Sequence, residues 1–272
     1  MSKKVALVTG ASSGIGYAAA IDLYNAGFTV YGAARRMDKL KSLEDKGIHI
    51  IELDVTSEEL MVKSIETIIN NEGRLDILVN NAGYGSYGAL EDVPMEEARR
   101  QLEVNVFGLA RMSQLALPHM RKNKFGRIIN ISSIGGKIYT PFGGWYHATK
   151  FAVEGLSDSM RLETAQFGID VVVIEPGGVK TDWGIISADN LIKTSKNSVY
   201  ETSAKETADK MRKNYSGTQL SDPRVVSEAI VKAATVKKPK TRYLVGMGAK
   251  PAIFIRKLVS DKVFDKIIKS QM

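Results

Sequence analysis

Tyr146 and Lys150 stand four residues apart in the run Tyr146-His147-Ala148-Thr149-Lys150, and Ser133 precedes the tyrosine by 13 residues. A helix sets residues i and i+4 on one face, so the phenol and the ammonium share a side. A free tyrosine titrates near pH ~10. An ammonium ~4 Å away, at an effective dielectric of ~20, favours the phenolate by ~4 kcal/mol, or ~3 pKa units before the opposing effect of burial. Such a pair can transfer a proton near neutral pH. Ser133 follows an apolar, β-branched run, and ligands of open α/β sheets sit at the carboxyl ends of strands, so serine and pair can face one cleft. Alone, a helical Tyr–Lys pair is an ordinary surface feature, and its weight comes from its surroundings.

A second group is Thr9-Gly10-Ala11-Ser12-Ser13-Gly14-Ile15-Gly16, between an apolar strand pattern and a helical one. Glycines let the backbone turn tightly and approach a pyrophosphate, and the following helix offers unpaired N–H groups. No Gly-Lys-Ser/Thr follows, which excludes a P-loop, and the spacing is not G-x-G-x-x-G. A tight structural corner is the competing reading. The next strand pattern ends Gly32-Ala33-Ala34-Arg35-Arg36. An NAD site places an acid there for the ribose 2′-hydroxyl. Two guanidinium groups instead suit a 2′-phosphate, through bidentate, charge-assisted bonds. This favours NADP(H) without excluding NAD(H).

The elements that must position these groups are legible as alternation. Apolar runs predict strands at 5–9, 28–34, 48–53, 75–80, 126–132, 169–175 and, more weakly, 241–245. Helical patterns predict helices at 14–26, 38–46, 57–72, 96–122, 147–167 and 222–235. Continuous apolar strands separated by helices imply an α/β fold with a doubly wound parallel sheet of about seven strands, helices on both faces and a single domain over 1–272. The polar stretch 181–217 breaks the rhythm and reads as a mobile loop or substrate lid.

These residues resemble the classical short-chain dehydrogenase/reductase family, from about Lys4 to about Tyr243. Gly10, Ser12, Ser13, Gly14, Ile15 and Gly16 match its cofactor turn. Asp54 and Val55 match the adenine contact after the third strand. Asn80-Asn81-Ala82-Gly83 matches the motif closing the fourth strand, and Pro176-Gly177-Gly178-Val179-Lys180-Thr181 the segment that positions the nicotinamide. Arg35 matches the position of the basic residue in one NADP-dependent pattern. Asn105, Ser133, Tyr146 and Lys150 match the catalytic tetrad. The resemblance implies an oxidoreductase interconverting a carbonyl and an alcohol by hydride transfer, with Tyr146 as general acid/base. It implies that Lys150 tunes Tyr146 and holds the nicotinamide ribose, that Ser133 polarises the substrate oxygen, and that Asn105 organises a water. No metal is implied. Within the family the chain looks most like hydroxysteroid- and retinol-dehydrogenase-like members, which act on lipophilic substrates. Tyr84, Tyr87, Tyr139, Phe142, Trp145, Trp183, Ile185 and Ile186 offer a matching apolar lining. Tyr139 and Trp183, with Ser133 and Tyr146, are the expected substrate contacts. A homodimer or homotetramer through 96–122 and 147–167 is implied. The rival reading is an NADP(H)-binding sensor or scaffold without turnover, which an intact tetrad disfavours.

Composition sets the outer limits. The chain has 272 residues, 44% hydrophobic and 25% charged, an ordinary globular balance. It has no cysteine, so disulfides and thiolate chemistry are excluded. His49, His119 and His147 show no metal-ligand spacing and read as ordinary histidines. No apolar run approaches the ~18 residues of a membrane span, and no secretory signal is evident, so a cytoplasmic location is expected. The net charge of +8 resides in the tail: residues 237–272 hold ten basic and two acidic side chains, leaving 28 of each sign elsewhere. A nucleic-acid surface is therefore not implied. The segment 249–272 interleaves apolar residues and lysines and predicts one or two basic amphipathic helices. Packing on its own domain or on a partner subunit is the favoured role, with cleft covering and membrane-surface contact as alternatives.

Overall fold

A strand apolar at every position must be covered on both faces, and a parallel sheet between helix layers does this. The computed structural model describes residues 3–217 and 219–270. Its strands are β1 Val5–Thr9, β2 Thr29–Ala34, β3 His49–Glu52, β4 Ile77–Asn80, β5 Gly126–Ile131, β6 Ile169–Pro176 and β7 Arg242–Val245. They form one parallel sheet in the order β3-β2-β1-β4-β5-β6-β7. Every residue of β1, β4 and β5 is buried, as their composition demands.

The helices are α1 Gly14–Asn25, α2 Lys41–Glu44, α3 Glu58–Glu72, α4 Met95–Leu102, α5 Leu109–Lys122, α6 Gly144–Thr164, α7 Trp183–Thr194, α8 Glu201–Ser216, α9 Arg224–Thr235, α10 Ala249–Leu258 and α11 Asp261–Ser270. One core layer packs Leu23 of α1 and Val226 and Ile230 of α9 under the sheet. The other packs Ile65 of α3 and Met112 of α5 above it. The chain runs outward from β1 through β2 to β3, then crosses back to β4. The crevice opens where the direction reverses, beyond the ends of β1 and β4.

The seven expected strands are all present, with ends shifted by one or two residues. Two expected helices are interrupted. The segment 38–46 is a 3-10 turn, Met37–Leu40, followed by the single turn α2. The segment 96–122 splits around a π-helical turn, Glu103–Gly108. The stretch 181–217, expected as a mobile loop or substrate lid, is not a loop: it holds the helical pair α7 and α8, packed on each other through Ala188, Leu191, Ala204 and Ala208. The expected tail is two helices, α10 and α11; Gln271 and Met272 lie outside the described residues, as do Met1, Ser2 and Thr218.

Two helices, α5 and the site-bearing α6, are fixed by a buried polar chain. Asn80 Nδ2 donates to Ser113 Oγ on α5 (3.0 Å) and to Asn130 Oδ1 on β5 (2.9 Å). Asn130 Nδ2 donates onward to Ser157 Oγ on α6 (2.9 Å). Buried donors left without partners destabilise by about 1–3 kcal/mol each. Asn130→Ala is therefore expected to destabilise the fold by about 2–3 kcal/mol, lowering the thermal midpoint by roughly 5–10 °C. A melt unchanged from wild type would refute the clamp.

Candidate active site

The glycine turn is welded to β4. Gly10 and Gly14 take positive φ of 66° and 55°, which glycine tolerates without strain. Asn81 Nδ2 donates to the carbonyls of Thr9 (2.9 Å) and Gly10 (3.2 Å). The Asn81 and Ala82 N–H groups donate to Thr9 Oγ1, both at 3.0 Å. Gly16 does not reach the cleft wall. A Cβ there would sit 2.4 Å from Gly10 O and from Asn81 Nδ2, so this glycine lets α1 begin directly beneath the turn. Ser13, the N-cap of α1, makes no side-chain cap, and the first turn carries no acid. That leaves an anion-binding end facing the crevice.

One cleft of about 1200 Å³ runs along the carboxyl ends of the strands. This exceeds the roughly 300–1,000 Å³ of typical small-molecule sites and suits a dinucleotide plus a second ligand. Gly10, Ser12, Ser13, Gly14 and Ile15 line it, as do Arg35 and Arg36 beyond β2, and Asp54 and Val55 beyond β3. Asn81, Ala82 and Gly83 beyond β4 join them, and Pro176, Gly177, Val179 and Thr181 form the wall beyond β6. Asp54 is oriented by Thr56, whose N–H and Oγ1 donate to Oδ1 at 3.0 and 2.8 Å.

Ser133, Tyr146 and Lys150 converge in the same cleft. The Tyr146 phenol is buried and hydrogen-bonded to Ser133. Burial pushes it up to about 12, and the Ser133 contact pulls the other way. Lys150 Nζ donates to the Ile131 carbonyl (2.9 Å), at the end of β5. Removal from water brings Lys150 down to about 8, opposed by the Glu154 charge one turn along α6. The expected lowering of Tyr146 toward neutrality is thus not present. Nζ is turned onto Ile131 and lies 5.9 Å from the tyrosine ring centroid, so desolvation outweighs the ammonium. In this arrangement Tyr146 is a protonated acid.

Asn105 is buried in the π-helical turn and does not line the cleft. Its Oδ1 accepts from Tyr84 N (3.0 Å), and its Nδ2 donates to Tyr84 O (2.8 Å) and Thr149 Oγ1 (3.1 Å). It braces the segment after β4 against α6. Tyr139 is corrected outright. Its hydroxyl donates to Asp265 Oδ1 on α11 (2.9 Å) and its ring meets Phe264, so it faces the tail and not the substrate. Trp183 is where expected, 5.0 Å from Tyr146 and 5.8 Å from Tyr87 between ring centroids. Of the other apolar candidates, Tyr84, Tyr87 and Ile186 line the cleft; Phe142, Trp145 and Ile185 do not.

Sequence reasoning missed Tyr215, Ile138 and His147. Tyr215, at the end of α8, closes the aromatic wall 6.1 Å from Trp183, against Gly184. Its polar flanks gave no signal. His147 was read as ordinary, but it holds the cleft loop: Nδ1 donates to Gly135 O (2.9 Å) and Nε2 accepts from Thr140 N (3.0 Å). Burial lowers its pKa, so it acts here as a neutral clamp. Adjacency to Tyr146 was the one available clue.

Residues 4–191 match the short chain dehydrogenase family. The chain belongs to that family. It is 39% identical over 248 residues to the 3-ketodihydrosphingosine reductase of Bacteroides thetaiotaomicron, covering 90% of this chain and 89% of the relative. It is 35% identical to the NADPH-dependent 3-dehydrocapnine reductase of Ornithobacterium rhinotracheale, covering 97% and 95%. Among solved structures, a short-chain dehydrogenase from Streptomyces avermitilis superposes with a TM-score of 0.82 at 34% identity, covering 98% and 96%. The closed form of a serine dehydrogenase complexed with NADP+ gives 0.77 at 26% identity, covering 89% and 94%. This chain is therefore an oxidoreductase of the short-chain dehydrogenase type.

The lysine shift makes a stability prediction. An amine whose folded pKa lies below its unfolded value destabilises the fold fully below the folded pKa, about 8 here. The effect fades as pH rises toward the ordinary lysine value of ~10.4. Lys150→Met is expected to stabilise the protein by about 1–2 kcal/mol at pH 7, after the loss of the Ile131 hydrogen bond is offset. That advantage should shrink between pH 8 and ~10. Thermal melts at both ends check it. A variant less stable at neutral pH would refute the account of Lys150 as a desolvated amine.

Proposed function

We propose that the protein is an NADP(H)-dependent reductase of a hydrophobic ketone, working in reverse on the corresponding alcohol. One observation carries the reading. A single cleft joins an arginine-lined end without an acid at β2 to an aromatic end where Tyr146 is buried with Ser133. The NADPH dependence named for one relative and the NADP+ bound to one solved neighbour support the cofactor.

The residues present fit that cofactor. The exposed N-terminus of α1 suits the pyrophosphate, and Arg35 and Arg36 suit a 2′-phosphate. Asp54, Val55 and Ala82 would hold the adenosine. Pro176, Gly177, Val179 and Thr181 would hold the nicotinamide end. When bound, NADPH supplies the hydride that the carbonyl carbon accepts.

The chain's own residues handle the oxygen. Ser133 Oγ–H and the Tyr146 phenol donate to the carbonyl oxygen, holding it against the cleft floor. As charge develops on that oxygen, the phenol proton passes to it and leaves a phenolate. The Lys150 ammonium, partly removed from water, stabilises that phenolate more strongly than an exposed ammonium would. Tyr87, Trp183, Tyr215 and Ile186 keep water away and offer apolar surface to the substrate. Two relatives are named as reductases, of 3-ketodihydrosphingosine and of 3-dehydrocapnine. The proposal accordingly keeps to a ketone with an apolar body rather than to a steroid or retinoid.

NADPH consumption against aldehydes, aliphatic ketones, aromatic ketones and steroid-like ketones tests this. Long aliphatic ketones are expected to turn over best, and Tyr146→Phe to lose about 10³-fold in kcat with NADPH binding retained. NADPH bound tightly with no carbonyl reduced would favour a sensor role instead. For the cofactor, Arg35→Ala is expected to raise the KM for NADPH about tenfold or more while leaving that for NADH nearly unchanged. Equal effects on both would show that the arginine does not read the 2′-phosphate.

A further inference from the structure

The two tail helices differ in a way that points to a partner. In α11, Phe264 is buried and Ile267 and Ile268 are partly buried on one side, while Lys262, Lys266 and Lys269 are exposed on the other. That is an ordinary amphipathic helix packed on its own protein. In α10 both sides are apolar. Ala252 and Ile253 are partly buried with Arg256, as is Val259 just past the helix end. Pro251, Phe254, Ile255 and Leu258 lie along the opposite side and are exposed, Phe254 at 64% and Leu258 at 68%. Packing on the domain needs one apolar face, and this helix has a second that none of the described residues covers.

The charges around that face are unbalanced. The tail's two acids are both engaged, Asp261 with Arg256 (2.6 Å) and Asp265 with the Tyr139 hydroxyl (2.9 Å). Lys250, Lys257, Lys262, Lys266 and Lys269 have no acidic partner among the described residues. Lys250 and Lys257 border the exposed apolar face of α10, four residues before and three residues after Phe254 along the helix. A second copy of the chain laid on this face would bring lysines against lysines, which opposes pairing. An anionic surface that also accepts apolar side chains is complementary to it.

Location adds a reason. Tyr139, held by α11, lies between Ile138 and Thr140 of the cleft wall. α10 packs against the turn Ile134–Gly136, which carries Ile134 and Gly135 of the same wall. The tail therefore flanks the part of the cleft that holds Ser133 and Tyr146.

We propose that α10 and α11 dock the protein on an anionic lipid bilayer, with Phe254, Ile255 and Leu258 among the acyl chains and the five lysines at the headgroups. The docking stands on the tail alone. Its consequence, that the cleft draws a lipid-borne ketone from the bilayer, rests on the proposed reductase function.

The test is co-sedimentation of the full chain with phosphatidylserine-rich vesicles and with pure phosphatidylcholine vesicles at low salt. Pelleting is expected with the first and not the second. Phe254→Ser combined with Leu258→Ser is expected to lower the bound fraction about tenfold, and Lys250→Glu with Lys257→Glu to do the same. Both double variants should keep wild-type turnover of a water-soluble ketone, which shows that they fold. Absence of pelleting overturns the proposal, and so does pelleting indifferent to Phe254 and Leu258. A dimer that becomes monomeric in the serine variant, with no vesicle binding, overturns it in favour of a subunit interface. Pelleting as predicted with no ketone reduced leaves the docking standing and removes the reductase reading.

Discussion

A lysine ammonium held largely out of water is the constraint around which the site is arranged. Among the described residues Lys150 donates to one acceptor, the carbonyl closing β5, which ties α6 to that strand end. The same face of α6 continues with Glu154 and Asp158 at successive turns. Glu154 pairs with Lys137 and Arg242, both at 2.9 Å, and Asp158 pairs with Arg242 at 2.7 Å. Burial, with the Glu154 charge nearby, raises Glu175 of β6 to about 7. A ladder of charge thus runs from the Lys150 amine down to β7. It locks α6 to β6 and β7 beneath the reacting groups, so that helix packing and site electrostatics are one problem.

The cleft is divided by chemistry. Its entry from β1 and β2 is built of glycines, serines, an uncapped helix end and two arginines, which suit phosphate. Its far end is four aromatic rings, Tyr87, Tyr146, Trp183 and Tyr215, with centroid separations of 5.0 to 6.1 Å between neighbours. A phenol in that setting stays protonated, and a lysine there loses its proton early. Both shifts come from the same exclusion of water. It is this exclusion that makes a charge newly formed on Tyr146 sensitive to Lys150.

The parts of this arrangement visible in the sequence are those set by local rules. Continuous apolar runs gave the strands, the turn from Thr9 to Gly16 announced itself by spacing, and the i, i+4 relation of Tyr146 and Lys150 holds in α6. What stayed hidden depends on contacts far apart in the chain. α8 buries only Ala204 and Ala208, and α7 buries Gly184, Ser187, Ala188 and Leu191, so neither shows a broad apolar stripe and 181–217 reads as irregular. Tyr139 looks like a cleft residue until Asp265, 126 positions away, is seen to take its hydroxyl. Gly16 belongs to the cofactor motif by spacing, yet its task is to leave room for Gly10 and Asn81. The expected Tyr–Lys attraction does not set the state of Tyr146, which burial raises, because the spacing of two side chains says nothing of the carbonyl that captures the amine.

The central claim is that Tyr146 protonates the oxygen of a ketone whose carbon receives hydride from NADPH in this cleft. Isotopic labelling reads it most directly. With NADPH deuterated at the transferring C4 position, the alcohol product should carry one deuterium on its carbinol carbon, from one face of the nicotinamide only, and Tyr146→Phe should yield almost no labelled alcohol while still binding the cofactor. Product without deuterium, or label transferred equally well by the phenylalanine variant, would contradict the account.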